Sequence, residues 1–246
     1  MISIKGQDSR LRMGIMENKA GVIVVAAGKG SRMGTTESKQ YLRLQNKPIL
    51  IHTLEVFEHS SIIDEIVIVT GKDDVQRCED WITEYKLTKV KQVVVGGYDR
   101  QESVAHGLQY IHSNWIMVHD GVRPFITQDQ IMDCYHSAVT AGASVLAVPV
   151  KDTIKQVDLQ KHILSTPDRS QLWAIQTPQT FRTADLQQAH QQALAEEFRG
   201  TDDSMLIERM GVTVSVVEGS YENIKITTPD DLDYASYLLQ RRGEKI

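Results

Sequence analysis

The chain has 246 residues, 41% hydrophobic and 24% charged, with a formal net charge of −5. That suits one sizeable α/β domain and leaves no overall basic footprint for nucleic acid, so an anionic ligand has to be met by local cations. No uncharged run approaches the roughly 18 residues of a membrane span, and Cys78 and Cys134 stand far apart, outside metal-ligand spacing, as reduced helix residues of a cytoplasmic enzyme would.

Residues 1–18 show no periodicity and no continuous apolar core, and read as a poorly packed extension rather than a secretory signal. From Gly21 onward short apolar runs alternate with helical patterns. Strands are predicted at 22–26, 65–69, 91–95, 115–118, 144–148 and 212–217, most of them continuous β-branched runs of the kind buried on both faces. Helices are predicted at 48–60, 100–113, 127–142 and 228–242. Pro48 suits a first helical position, Thr127 and Thr228 are natural N-caps, and Gly142 is a natural stop. The alternation predicts one Rossmann-like domain over 19–246, a mostly parallel twisted sheet with helices on both faces. The segment 150–181 breaks the rhythm. It reads as a β-arm leaving the sheet, two extended pieces (153–157 and 172–176) joined by a polar turn, either pairing with a second subunit or capping its own domain as a local hairpin.

The first strand runs into "AAGKGSRMG", with glycines at Gly28, Gly30 and Gly34. Ligands of open α/β sheets bind at the carboxyl ends of strands, and glycine N–H groups there can form an anion-binding nest. A dinucleotide fingerprint would need glycine at Met33 and an early second strand, and a phosphate loop would need a closing Gly-Lys-Ser/Thr. Neither is present. Lys29, Arg32 and Lys39 around one loop suit a triphosphate better than a plain turn, although a lone Lys39 would equally be a solvated surface lysine. In "VHDGVRP", Asp120 follows a buried strand. A carboxylate beside a triphosphate is repelled unless a cation lies between them, which makes Asp120 a candidate for Mg²⁺ or else an Asx turn before Gly121. In "GGYDRQESVAHG", Gly96 and Gly97 let a flat base approach the backbone, and Ser103 either meets that ligand or caps the helix. His52, His106 and His119 are expected in packing or supporting roles.

The loop together with "SKQY" is similar to the signature of the sugar-phosphate nucleotidyltransferases. More closely, the chain from Val22 on resembles the 2-C-methyl-D-erythritol 4-phosphate cytidylyltransferases of the non-mevalonate isoprenoid pathway. The stretches that carry this are "VVVGGYDRQESVAHGL", "VHDGVRPFI", "AVPVKDTIKQV", "DRSQLWAIQTPQTFR", "TDDSMLIERMG" and "VEGSYENIKITTPDDL". Two departures, Ser38 in place of a common proline and Val122 in place of a common alanine, remove no chemical group. The resemblance implies a CTP-dependent cytidylyltransferase; Asp120 beside the triphosphate adds the expectation of Mg²⁺, and the open strand edges of the arm add that of a homodimer. CTP would be held by Ala26, Ala27, Gly28, Lys29, Gly30, Gly96, Gly97 and Ser103, with Arg32, Lys39 and Lys225 as catalytic cations and Asp120 at the metal. The sugar phosphate would meet Arg123, Thr153, Arg169, Thr177 and Thr201, although Thr201 and Asp202 equally fit a helix N-cap. A ribitol 5-phosphate cytidylyltransferase shares the loop and the fold. A nicotinamide oxidoreductase and a catalytically dead binding protein are the readings from other classes.

Overall fold

The computed structural model describes residues 19–28 and 37–243; the expectation of a poorly packed 1–18 lies outside them. The strands and helices run β1 (Ala20–Ala26), β2 (Arg43–Leu44), β3 (Lys47–Pro48), α1 (Ile49–Glu58), β4 (Ile63–Thr70), α2 (Val75–Glu84), β5 (Val90–Val95), α3 (Arg100–Leu108), β6 (Trp115–Asp120), α4 (Gln128–Ala141) and β7 (Ala143–Pro149). They continue β8 (Gln156–Val157), β9 (Ile163–Ser165), β10 (Trp173–Arg182), α5 (Thr183–Ala195), α6 (Asp203–Arg209), β11 (Val214–Glu218) and α7 (Pro229–Gly243).

Seven strands form the main sheet in the order β11-β7-β10-β6-β1-β4-β5. β1 lies parallel between β4 and β6, and β11 and β5 add parallel edges. Strand β1 is apolar on both faces because each face is covered. Val22, Val24 and Ala26 join one core with Leu50, Leu54 and Phe57 of α1 and Ile131, Tyr135 and Ala138 of α4. Ile23 joins the opposite core with Val104 and Leu108 of α3 and Leu186 and Ala189 of α5. The chain leaves β1 toward β4 on one side and returns to β6 on the other. This is the topological switch at which open α/β sheets bind ligands. A third cluster, with Val122, Phe125, Ile226, Ala235 and Leu238, packs α7 over the loop after β6.

The predicted caps form on α4 and α7, whereas Pro48, expected at a first helical position, ends β3 and stands at the N-cap of α1, which begins at Ile49. Thr127 and Gln130 make a reciprocal capping box on α4, and Gly142 closes that helix at φ 103°, a conformation glycine adopts without steric cost. Thr228 Oγ1 accepts the Asp231 N–H at the start of α7. Both cysteines lie buried in helices as free thiols. Among the described residues no helix is long and apolar enough to cross a membrane.

The predicted arm needs correcting. Its residues from Trp173 onward are not outside the sheet: Trp173–Arg182 is β10, inserted antiparallel between β6 and β7. What projects is 151–172, and the partner of β8 is β9 rather than the 172–176 piece. The reason is chemical. β10 buries Gln176, Thr177, Gln179 and Thr180 inside the sheet, and a strand of buried polar residues lacks the apolar run by which the others announce themselves.

Candidate active site

The switch sets Val25 of β1 opposite Asp120 of β6. A cleft of about 340 Å³ opens there, lined by Ala26, Ala27, Gly28, Lys39, Gln40, Gly97, Arg100, Ser103, Asp120 and Lys225 among others. Its walls are tied by backbone chemistry. Gln40 Nε2 donates to Ala26 O at 2.6 Å, anchoring the 3-10 turn that carries Lys39. The Gly121 N–H donates to Val25 O at 2.9 Å, and Thr53 Oγ1 donates to Gly121 O at 3.0 Å. Gly96 donates to Thr70 O at 2.8 Å, and a Cβ there would fall 2.5 Å from that of Ala27 and 2.9 Å from Ser103 Oγ. Only glycine lets these strand ends close. Ser103 is buried, donates to Asp99 O at 2.7 Å and accepts the Gly97 N–H at 3.0 Å. Its hydroxyl therefore shapes the loop, while Asp99 is the residue that caps α3.

A second cleft of about 300 Å³ shares Arg100, Asp120 and Lys225 with the first and adds Arg123, Gln176, Thr177, Gln179, Thr201 and Asp202. Asp120 is thus the common wall. Its carboxylate lies 2.9 Å from Lys225 Nζ, 3.4 Å from Arg123 Nε and 3.6 Å from Arg100 Nε. Burial alone would raise its pKa, but Lys225, Arg100 and Arg123 outweigh burial and hold it well below the usual carboxylate range. Arg100 in turn donates through Nη1 to buried Asp203 at 2.6 Å. Burial disfavours its charge, yet Asp203 and Asp120 more than compensate.

Behind this wall, His119 Nδ1 and Thr177 Oγ1 lie 3.1 Å apart, and Thr177 Oγ1 accepts the Asp120 N–H at 3.0 Å. Nε2 faces the Arg123 carbonyl at 3.1 Å, which can only accept, so the ring proton sits on Nε2 and Nδ1 accepts from the Thr177 hydroxyl. Asn223 Nδ2 donates to Gln176 Oε1 and Thr177 O, and Arg123 Nη1 donates to Asn223 O at 2.7 Å. These bonds fix the ends of β6 and β10 and the "ENIKI" segment, which Ile226 also anchors through its N–H on Val122 O.

The structure gathers Ala26, Ala27, Gly28, Lys39, Gly97, Ser103, Asp120 and Lys225 in one cleft, with Gly96 packed behind it. It places Arg123, Thr177 and Thr201 in the other. Thr177 faces that cleft with its hydroxyl already engaged, and Asp202 is the N-cap of α6, accepting from Met205 N–H at 3.0 Å. Thr153 and Arg169 are exposed on the projecting segment and line neither cleft; Arg169 donates to Lys151 O. Lys29, Gly30 and Arg32 lie outside the described residues. The histidine reading holds for His119, wholly buried, and for His52, which packs against Leu44 O. His106 is more open, with its ring on Val95 O.

Sequence reasoning missed Arg100 and its partner Asp203. A signal for Arg100 was present: a cation in the first turn of α3 opposes the helix dipole. Nothing comparable marks Asp203, an ordinary first-turn acid. Among the described residues no group of three or more His, Cys, Asp or Glu could hold a metal ion. A cation caged by protein alone does not fit this donor set. One shared between Asp120, whose pKa its cationic neighbours lower, and a ligand's phosphate oxygens does.

The comparisons with known proteins agree with one another. The family model described as 2-C-methyl-D-erythritol 4-phosphate cytidylyltransferase matches residues 20–241. The enzyme of that name from Alkaliphilus metalliredigens is 49% identical over 230 residues, covering 92% of this chain and 95% of the relative. That from Halalkalibacterium halodurans is 44% identical over 225 residues, covering 91% and 98%. Among solved structures, the 4-diphosphocytidyl-2C-methyl-D-erythritol synthase of Anaerococcus prevotii superposes with a TM-score of 0.82 at 33% identity, over 92% of this chain and 99% of that one.

Proposed function

The chain belongs to the 2-C-methyl-D-erythritol 4-phosphate cytidylyltransferase family, and from that premise we propose how its two clefts divide the reaction. It transfers a cytidylyl group from CTP to 2-C-methyl-D-erythritol 4-phosphate in isoprenoid precursor biosynthesis. Ribitol 5-phosphate as the acceptor is not favoured. The observation that carries the division is that two clefts meet at one carboxylate ringed by Lys225, Arg100 and Arg123.

CTP enters the first cleft, its base against Gly97 and Ser103 with Gly96 supporting them from behind, and its triphosphate is assigned to Ala26, Ala27, Gly28, Lys29 and Gly30. The sugar phosphate enters the second, against Arg123, Thr177 and Thr201. A phosphate oxygen of the acceptor attacks the α-phosphorus, that P–O bond forms as the bond to the β-phosphate breaks, and pyrophosphate leaves with the electron pair. No proton has to move at a protein atom. Both reactants are anions, so the work of the protein is to bring them together and stabilise the charge at phosphorus. Lys39 and Arg32 are the cations assigned to the α-phosphate, and Lys225 lies where the two clefts join. Asp120 would hold Mg²⁺ together with triphosphate oxygens, and the ion, when bound, neutralises part of the triphosphate charge. Thr153 and Arg169, remote from their own clefts, fit contacts made to a second copy of the chain, which makes the working unit a homodimer. Two free buried thiols suit a reducing, cytoplasmic setting.

Pyrophosphate release tests this. We expect it with CTP and methylerythritol phosphate, not with ribitol 5-phosphate, lost with EDTA and regained with Mg²⁺. In Lys39→Met, kcat should fall roughly 10²–10³-fold, the usual cost of one transition-state donor. Asp120→Asn should lose most activity with its circular dichroism unchanged. Full activity in Asp120→Asn would remove that residue from the metal.

A further inference from the structure

Among the described residues, Arg100 is the one cation, besides Lys225, that lines both clefts. Its Nη1 is committed to Asp203 at 2.6 Å. Its Nε stands 3.6 Å from Asp120, too long for a full hydrogen bond. A guanidinium carries five N–H donors in a planar fork that matches two phosphate oxygens at once.

Asp203 is built to hold that fork still. It is almost completely buried at the start of α6, where its own N–H donates to Gln179 Oε1 at 3.1 Å. Its second oxygen faces buried His190 Nε2 at 3.5 Å. The placement is electrostatically awkward for Arg100, which begins a helix whose dipole repels it. Where packing is the only requirement, apolar residues usually replace a buried ion pair without loss. An arginine kept in an unfavourable position by a buried acid, half turned toward two substrate clefts, is arranged for a ligand.

We infer that Arg100 is a catalytic residue of this reaction, its guanidinium meeting phosphate oxygens where the two clefts join, and that Asp203 is the positioning residue that aims it. This rests on the reaction assigned above. Arg100 accepts no bond and moves no proton. It offers its remaining donors to charge growing on the transferred phosphoryl group.

The test uses the full-length protein with CTP and methylerythritol phosphate. Arg100→Ala should lose roughly a hundredfold in kcat, with less change in KM for CTP; its melting temperature should fall, because Asp203 is left buried without its partner, so kcat is read well below that temperature. Low-millimolar guanidinium chloride should restore part of that rate. In the Arg100→Ala, Asp203→Asn double variant the rescue should disappear, because the carboxylate that seats the added cation is gone. Asp203→Asn alone should lower kcat about tenfold, and adding it to Arg100→Ala should cost little more, the non-additivity of residues acting as one unit. Parental kcat in Arg100→Ala, no rescue, or equal rescue with and without Asp203 would overturn the inference. If Arg100→Ala does not fold, Arg100→Lys is read instead: it keeps the charge but loses the fork, and parental kcat there overturns the inference. Turnover by the parent enzyme is measured alongside, so failure of the assigned reaction is distinguishable from failure of this role.

Discussion

At neutral pH the His119 ring carries no charge. It is wholly buried, edge-on to Phe57, and its two nitrogens are spent on Thr177 and Arg123. Burial pushes its pKa down from 6.5 to about 4. Between those values the unfolded chain binds a proton that the folded chain refuses, so stability rises with pH across that window. The contribution is fully present above about pH 6.5 and is lost as pH falls toward 4, on the order of 3 kcal/mol in all. Urea midpoints measured across that window should fall steadily with acidification, and His119→Gln, though less stable overall, should show a flatter slope. An equal slope in both proteins would mean that other groups set it. Asp120 and Asp203, with depressed pKa values, lose their contributions only at still lower pH. At this scale the sequence was most informative where chemistry is local. Asp120, Lys39 and Lys225 stand out by motif, whereas Arg100 acquires meaning only through Asp203, about a hundred positions away.

The junction between β5 and α3 shows how an element boundary sets binding. Gly96→Ala would drive a methyl into Ala27 and Ser103. We expect a stability loss of about 1–3 kcal/mol, typical of overpacking, and a larger rise in KM for CTP than for the sugar phosphate, because Ala27 and Ser103 both line the first cleft. Equal effects on both substrates would disconnect this junction from the base. Strands β1, β4, β6 and β7 were readable because burial on both faces demands continuous apolar, β-branched runs, the edge strands β5 and β11 carry valine runs although they are only partly buried, and α4 was readable from Thr127 and Gly142. Helices α2 and α6 were anticipated only through Cys78 and the Thr201–Asp202 cap, without bounds, and α5 has no counterpart among the predicted elements. α5 is rich in glutamine, so its apolar stripe is thin. α6 has only seven residues, too short for periodicity to register. β10 was seen only at its start, as the extended 172–176 piece, and its place in the sheet escaped because Gln176, Thr177 and Gln179 are buried polar residues that line the second cleft.

For the molecule as a whole, the projecting hairpin is the unfinished part. β8 and β9 are a two-stranded ribbon, marginal by itself in water, and Val157, Leu159, Ile163 and Leu164 are 49%, 98%, 63% and 61% exposed on it. We therefore expect a dimer by light scattering at micromolar concentration, and a monomer once 155–165 is deleted. That deletion should weaken the sugar phosphate more than CTP, because Thr153 and Arg169 flank it while the first cleft lies on the far half of the sheet. A monomeric parent would overturn this. The antiparallel insertion of β10 between β6 and β7 bears also on how the protein is made. A growing chain can assemble β1, β4, β5 and β6 as a parallel block, but β7 has no neighbour until β10 and β11 are synthesised. Until residue 182 has left the ribosome, β6 and β7 present facing unpaired edges, so nascent chains stalled inside the hairpin should be the ones most dependent on chaperones.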